Sequence, residues 1–251
     1  MAGLIPMFTP AVPGAIVVPA HSTNVLRPIN DPKVLVVHTP EEPSDDIEVT
    51  PYYFQTPNLG ASTHAYGDSD GDLYEMVPAS HGAIANGVRN RPYPPGTDPA
   101  ISLNYQSESI EFEGYAATIA QTMPRGGPQW KTGVRWIVHR CEANDIPIDR
   151  DHIIGHYQVA DNRSDPGTLD IDQLVRDAQE EDDMGMTPDE KKLFDVVRDD
   201  AVIGKNRSER NAKKLDELIA IVGALGERIV GHEDWQKLTE LTVAKLHPPE
   251  D

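Results

Sequence analysis

The chain has 251 residues, 38% of them hydrophobic and 25% charged, which is enough to bury a globular core and leave a smaller appendage. Acidic side chains outnumber basic ones by 41 to 22, and this excess argues against binding to nucleic acid or to anionic membrane surfaces. The single cysteine, Cys141, excludes an internal disulfide and a cysteine-built structural zinc site. We expect it to be a small buried side chain in a helix.

The N-terminal segment is apolar but interrupted by proline. Pro6, Pro10, Pro13 and Pro19 fall within residues 1–30 and predict an extended arm. The segment has no basic region before its apolar residues, so it is a poor signal peptide. No run approaches the roughly 18 uninterrupted apolar residues of a membrane span. We therefore expect a protein that is cytoplasmic on synthesis, is not inserted in a membrane and needs a separate export route.

Residues 31–178 alternate between strand and helix patterns. KVLVVHT is a short apolar, β-branched run typical of a buried strand, and His38 ends it. STHAY and DSDGDLYEMV predict a hairpin joined by an Asp/Gly turn, and ESIEFEG predicts a further strand that ends at Gly114.

The second half of this segment predicts helices. PQWKTGVRWIVHRCEAN, residues 128–144, spaces its apolar side chains by three and four, as an amphipathic helix does. IPIDRDHIIGH returns in a short strand, and TLDIDQLVRDAQ predicts a closing helix. The alternation predicts an α/β fold with a central mixed sheet flanked by helices.

The acidic run EEDDMGMTPDE predicts a linker at residues 179–187, followed by a small α-helical region at residues 188–251. An apolar stripe with spacings of three and four runs through that region: Leu215, Leu218, Val222, Leu225 and Ile229. The stripe covers about two heptads, fewer than a firm coiled coil needs. Homo-oligomerisation, a helical hairpin packed on itself and wall binding therefore all remain open for this region.

Three residues at the ends of predicted elements could bind a metal ion. Catalytic zinc takes three ligands from His, Cys and carboxylate side chains and keeps a fourth position for water. His38 and His156 each end a strand, and Asp165 lies across a loop from His156. Taken singly, each histidine also fits a hydrogen-bonded core residue, and Asp165 before Pro-Gly fits a turn former.

Five motifs in chain order resemble those of the zinc-dependent N-acetylmuramoyl-L-alanine amidases, the type-2 amidase and peptidoglycan-recognition group common among phage endolysins. The resemblance covers about residues 33–172, and its motifs are VLVVHTPEE, ASTHAYGDSDGDLYEMV, AIANG, NYQSESIEFEG and IIGHYQVADNRSDPG. Each motif is weak alone. Five in the right order with compatible gaps indicate the family.

The resemblance implies roles for five residues. His38, His156 and Asp165 would bind Zn²⁺ as the cofactor. Glu111 would take a proton from the attacking water, and Arg163, which stands where the family often has lysine, would stabilise the oxyanion. A surface carboxylate on an edge strand and a solvent-facing loop arginine are the ordinary alternatives for the last two.

The sequence also departs from the family pattern. Thr63 stands where some members have a catalytic-site tyrosine, and Ala85 stands where many have histidine. We therefore expect Asn86 and Asn104 to make the polar contacts to substrate. His64 is expected to line the site rather than to bind metal.

The resemblance implies that the protein hydrolyses the amide bond between N-acetylmuramic acid and L-alanine in bacterial peptidoglycan. It further implies a phage endolysin that reaches the wall of the host after a holin opens the membrane. Two alternatives are a peptidoglycan-binding module without catalysis and a virion-associated structural protein with an amidase-like fold. Non-catalytic relatives typically lack a zinc ligand, whereas all three positions are filled here, which favours the enzyme.

Overall fold

Six short strands form one mixed sheet, in the spatial order β1-β4-β3-β5-β2-β6. The computed structural model describes residues 3–41, 49–87 and 89–183. Its strands are β1 (Ile16–Val17), β2 (Val34–His38), β3 (Ala65–Gly67), β4 (Leu73–Glu75), β5 (Ser107–Phe112) and β6 (Ile153–Gly155). Its α-helices are α1 (Val49–Tyr53), α2 (Ile119–Thr122), α3 (Pro128–Asn144) and α4 (Ile171–Asp183), and short 3₁₀ turns span Ser22–Asn24, Leu103–Tyr105 and His156–Gln158.

The predicted α/β class is confirmed, and β2 lies at the centre of the parallel part of the sheet. All five of its residues are buried, and it pairs in parallel with β5 on one side and β6 on the other. A strand covered on both faces has no polar face, which explains its unbroken apolar run. The predicted hairpin is also present, because β3 and β4 are antiparallel. Gly71 takes a φ of 94° in the turn between them.

Helix α3 has the bounds that its apolar spacing predicts. It begins with Pro128, where a missing N–H is tolerated, and ends before Asp145, which is left-handed. Cys141 is buried in this helix, as expected. A Cβ atom on Gly133 would lie 2.7 Å from the Phe112 ring, so this glycine lets α3 approach β5 closely.

The two faces of the sheet have different covers. On one, which we call the helix face, Leu35 and Val37 share a core with residues of α3 and α4. Val34 and Val36 alternate to the opposite face, which we call the loop face, where they pack with Leu103 and neighbouring residues. By the same alternation His38 belongs to the loop face.

The N-terminal segment adds the edge strand β1, which pairs in parallel with β4. The backbone N–H groups of Ala11 and Val12 donate to the Glu75 carboxylate at 2.7 and 2.8 Å. At the other end, α4 extends to Asp183, inside the segment predicted as a linker. The predicted helical region at residues 188–251 lies outside the described residues. Within the described part of the chain, no helix is long and apolar enough to cross a membrane.

Candidate metal centre

The candidate site lies at the carboxyl ends of the parallel strands. His38 is the last residue of β2, and its partner in the register with β5 is Glu111. His156 directly follows β6, which pairs with β2 on the other side. Parallel strands place the loops that follow them at one edge, where α/β proteins commonly bind ligands. The fold therefore brings His38, Glu111 and His156 to the same edge of the sheet.

His38, His156 and Asp165 converge on one point. The Nδ1 atoms of His38 and His156 lie 3.2 and 3.1 Å from the same carboxylate oxygen, Oδ2 of Asp165. The centroids of the two imidazole rings are 4.4 Å apart, and the rings meet edge to face. In a tetrahedral zinc site with bonds of the usual length, neighbouring ligand atoms are about 3.3 Å apart. Within the described residues, this is the single group of three such side chains close enough to hold a metal ion.

Burial and charge prepare these groups to bind a cation. Burial lowers the pKa of His38, with its contact to Asp165 partly opposing that shift, so the ring is neutral at pH 7. Burial raises the pKa of Asp165, but its contacts with His156 and His38 outweigh this effect and hold the pKa well below the ordinary value. The cluster thus offers an anionic carboxylate beside at least one neutral imidazole.

The two contacts of His156 are compatible with a bound metal ion. Its Nε2 lies 3.3 Å from the backbone carbonyl oxygen of Asn86, and its Nδ1 faces Asp165. A neutral imidazole carries only one N–H, so it can donate to one of these two acceptors. If Nε2–H donates to the carbonyl, the Nδ1 lone pair faces a carboxylate oxygen. A cation bound by both atoms removes that conflict.

Comparison with known proteins identifies the family of this chain. The sequence profile of Amidase_2, the N-acetylmuramoyl-L-alanine amidase family, matches residues 28–168, which is more than half of the chain. The chain belongs to this family. No curated protein sequence matches it.

Several solved structures resemble this amidase chain. A selenomethionine derivative of AmpD is 23% identical, with 69% of this chain and 99% of that chain covered and a TM-score of 0.49. A mutant endolysin from Bacillus subtilis is 17% identical, with 65% and 97% covered and a TM-score of 0.49. The PlyG catalytic domain is 16% identical, with 69% and 98% covered and a TM-score of 0.46.

The residues predicted to perform proton transfer and charge stabilisation have different environments in the amidase. Glu111 is half-buried, near the end of β5 and in register with His38 on one side and Tyr66 on the other. Arg163 is exposed on the loop that connects the second histidine to Asp165, and its backbone N–H donates to Ala160.

The predicted substrate-contacting residues lie inside the amidase domain. His64 is buried; its Nδ1 accepts the N–H of Ser109 at 3.1 Å, and its Nε2 lies 2.9 Å from the carbonyl oxygen of His81. Asn104 is buried as well, and its Oδ1 accepts the N–H of Asn86 at 3.0 Å. The structure thus brings Asn86 to the metal ligands and Asn104 to Asn86, while His64 bonds to backbone groups.

Sequence reasoning missed one residue of this network. Ser107 accepts a hydrogen bond from the Asn86 side chain at 2.9 Å and donates to the carbonyl of Leu103 at 2.8 Å. Ser107 lies in the motif NYQSESIEFEG, but the motif does not indicate its hydrogen-bond partner. The contact of the Asn86 main-chain carbonyl with His156 was missed too, because any residue type carries a carbonyl.

Proposed function

We propose that the protein hydrolyses the amide bond between N-acetylmuramic acid and L-alanine in bacterial peptidoglycan, using Zn²⁺ held by His38, His156 and Asp165. The observation that supports this most directly is the convergence of two Nδ1 atoms and one carboxylate oxygen at 3.1 to 3.2 Å, in a chain of the amidase family. Two neutral imidazoles and one carboxylate are a donor set that suits zinc and leaves it a net positive charge.

Bound zinc supplies a Lewis acid and lowers the pKa of the water it holds toward about 7. The protein's own part is proton transfer and charge stabilisation. Glu111 takes a proton from the attacking water and delivers it to the leaving amide nitrogen. Its position supports this role, because it pairs with His38 at the same edge of the sheet.

Arg163 stabilises the negative charge that develops on the carbonyl oxygen of the substrate. It lies on the loop between His156 and Asp165. Because it is exposed, a polymeric substrate can reach it. Arginine remains charged at all working pH values, so it acts as an electrostatic group and not as a base.

The structure bears on the roles of His64 and Asn104. The hydrogen bonds of His64 and Asn104 to protein atoms favour a structural role for both, and their contact with substrate stays a prediction. The role as a phage endolysin, release through a holin, and oligomerisation or wall binding by residues 188–251 also stay predictions. A binding module without catalysis is disfavoured because the set of three metal-binding side chains is intact.

The test is digestion of purified peptidoglycan by the full-length protein. We expect new alanine amino termini to appear, to stop when a chelator strips the metal, and to return when Zn²⁺ is added back. New reducing sugar ends in place of alanine termini would show a glycosidase and overturn the proposal. Sedimentation of the protein with peptidoglycan, without release of either end group, would identify a binding module.

A further inference from the structure

We propose that Asn86 is a positioning residue that orients both histidine ligands, with its main-chain carbonyl oxygen accepting from His156 and its side-chain oxygen accepting from His38. The inference rests on the proposed function, because it concerns the same metal site. It assigns Asn86 a role different from the substrate contact that the sequence predicts. Asn86 is 1% exposed, so a polymer substrate has almost no access to it.

The contact with His156 involves the main chain. The Asn86 carbonyl oxygen lies 3.3 Å from Nε2 of His156, within hydrogen-bond distance. A proton held on Nε2 leaves Nδ1 as the atom with the free lone pair. Nδ1 is the atom that faces Asp165, so this contact selects the tautomer that can bind the metal.

The contact with His38 involves the side chain. Nε2 of His38 and Oδ1 of Asn86 are both buried, and within the described residues neither has a hydrogen-bond partner. One is a donor when protonated and the other is an acceptor, so the two atoms complement each other. The Asn86 carbonyl oxygen lies 3.3 Å from Nε2 of His156, and the ring centroids of His156 and His38 are 4.4 Å apart, so Asn86 lies close to both rings.

The surrounding bonds fix which way the Asn86 amide points. Its Nδ2 donates to Oγ of Ser107, and the Ser107 hydroxyl in turn donates its proton to the carbonyl of Leu103. Because the hydroxyl proton is engaged, Oγ accepts from the amide nitrogen, and the amide oxygen must point elsewhere. Asn104 holds the Asn86 backbone N–H at 3.0 Å. The residue is thus held at its backbone and its side chain.

The consequence is that one residue sets the orientation of two ligands that come from different strands. Partners that bond the far nitrogen of a ligating histidine typically contribute about 10- to 100-fold to metal affinity. Replacing the side chain removes the contact with His38 and the bond to Ser107, while the main-chain carbonyl that faces His156 remains.

The experiment measures zinc affinity of the full-length protein by competition with a chromophoric chelator. Asn86→Leu, which has a similar size but no acceptor, is expected to bind zinc about 10- to 100-fold more weakly than the wild type. Asn86→Asp keeps an oxygen acceptor for His38, and the Ser107 hydroxyl can turn away from Leu103 to donate to the second carboxylate oxygen, so this variant is expected to retain affinity close to that of the wild type. The matched control is Asn90→Ala on the same loop, where the amide bonds to Asp161 and not to a ligand; its affinity should be unchanged.

Two further measurements separate positioning from a general loss of structure. The visible spectrum of the Co²⁺-loaded protein should change in Asn86→Leu and be restored in Asn86→Asp, because it reports ligand geometry. Thermal unfolding of the metal-free proteins shows whether each variant folds. If Asn86→Leu fails to fold, Ser107→Ala replaces it, since that change releases the Asn86 side chain and should also weaken zinc binding.

The outcomes distinguish the two proposals. A wild-type protein that binds no zinc would overturn the proposed function itself. Tight zinc binding by the wild type with equal affinity in folded Asn86→Leu, or in Ser107→Ala when that variant replaces it, would overturn only the positioning role. Weakening in Asn86→Asp as severe as in Asn86→Leu would also contradict it, because the acceptor would then be irrelevant.

Discussion

Two clusters of buried polar side chains lie on opposite faces of the same sheet. On the helix face, Glu108 of β5 accepts from Nε and Nη2 of Arg140, both at 2.7 Å, and from Asn144 at 3.0 Å. On the loop face, the side chains of the two histidines and Asp165 converge on one another. Both clusters are buried, so burial does not distinguish them.

The balance of donors and acceptors does distinguish them. In the Glu108–Arg140 cluster each carboxylate oxygen meets an N–H of a cation, so the pair needs no further partner. In the ligand cluster two ring nitrogens share one carboxylate oxygen, and a positive ion is a partner that all three atoms can bind. We infer that the first cluster serves stability and the second serves chemistry.

The largest expected effect comes from removing a ligand. His156→Ala should abolish stoichiometric zinc binding and slow peptidoglycan hydrolysis by at least about 1000-fold, because metal catalysis contributes several kcal/mol to the barrier. The fold should persist, as judged by circular dichroism. His152→Ala is the matched control, because His152 lies in the same segment but bonds to Asp149. Full zinc occupancy in His156→Ala would remove this residue from the ligand set.

Breaking the paired cluster should affect stability and not metal binding. Arg140→Ala leaves the Glu108 carboxylate buried without its cation, which costs about 3 to 5 kcal/mol of unfolding free energy. Arg125→Ala is the control, since Arg125 makes a similar two-point contact with Asp177 but is exposed. Arg125→Ala should lose much less stability, because solvent screens the exposed pair. Denaturant titration measures both, and the comparison breaks down if the two losses are equal.

A smaller effect tests whether Glu111 of β5 takes part in proton transfer and not in metal binding. Glu111→Gln should keep zinc at wild-type affinity while hydrolysis falls by about 100-fold or more, because the amide cannot accept the proton. Glu142→Gln, an exposed carboxylate on α3, is the control and should retain full activity. Metal content and the release of alanine termini are measured on the same samples. Unchanged hydrolysis in Glu111→Gln would assign the proton transfer to another group.

Local patterns account for the parts of the fold that the sequence predicts. Strand β2 and helix α3 are visible because a five-residue apolar run and a three-four spacing are short-range signals. The Glu108–Arg140 pair was not predicted, because it joins residues 32 apart and places a charge on a buried helix position. No spacing rule connects such partners before the fold is known.

The candidate site likewise has residues that local motifs predict and contacts that only the fold reveals. His38 and Asp165 were predicted as ligands from strand ends and motif order, and the structure brings them within 3.2 Å of each other. The hydrogen bonds of His64 to the Ser109 N–H and the His81 carbonyl were not predicted, because any residue type carries such backbone groups. The bonds of Asn86 depend on a main-chain carbonyl and on an amide orientation, neither of which leaves a residue-type signal.

The smallest expected effect concerns Asp68, a carboxylate in the turn between β3 and β4. It is as deeply buried as Asp165, yet burial raises its pKa to about 6, with the charge of nearby Asp72 adding to the shift. Asp165 shifts the other way because histidines contact it. Comparing Asp68 with Asp165 therefore separates the effect of histidine contacts on a carboxylate pKa from the effect of burial.

Because the folded-state pKa of Asp68 lies above its ordinary value, the folded protein binds this proton more tightly than the unfolded chain does. Stability from this group is complete below about pH 4 and falls as pH rises through about 6. Asp68→Asn should therefore raise the unfolding free energy by about 1 kcal/mol at pH 7.5, after allowance for solvent screening, and by nothing at pH 4. Urea titration of metal-free protein at both pH values measures the difference, with the exposed Asp151→Asn as control. An advantage of equal size at both pH values would mean that a change in packing, and not an uncompensated charge, separates Asp68 from Asp165.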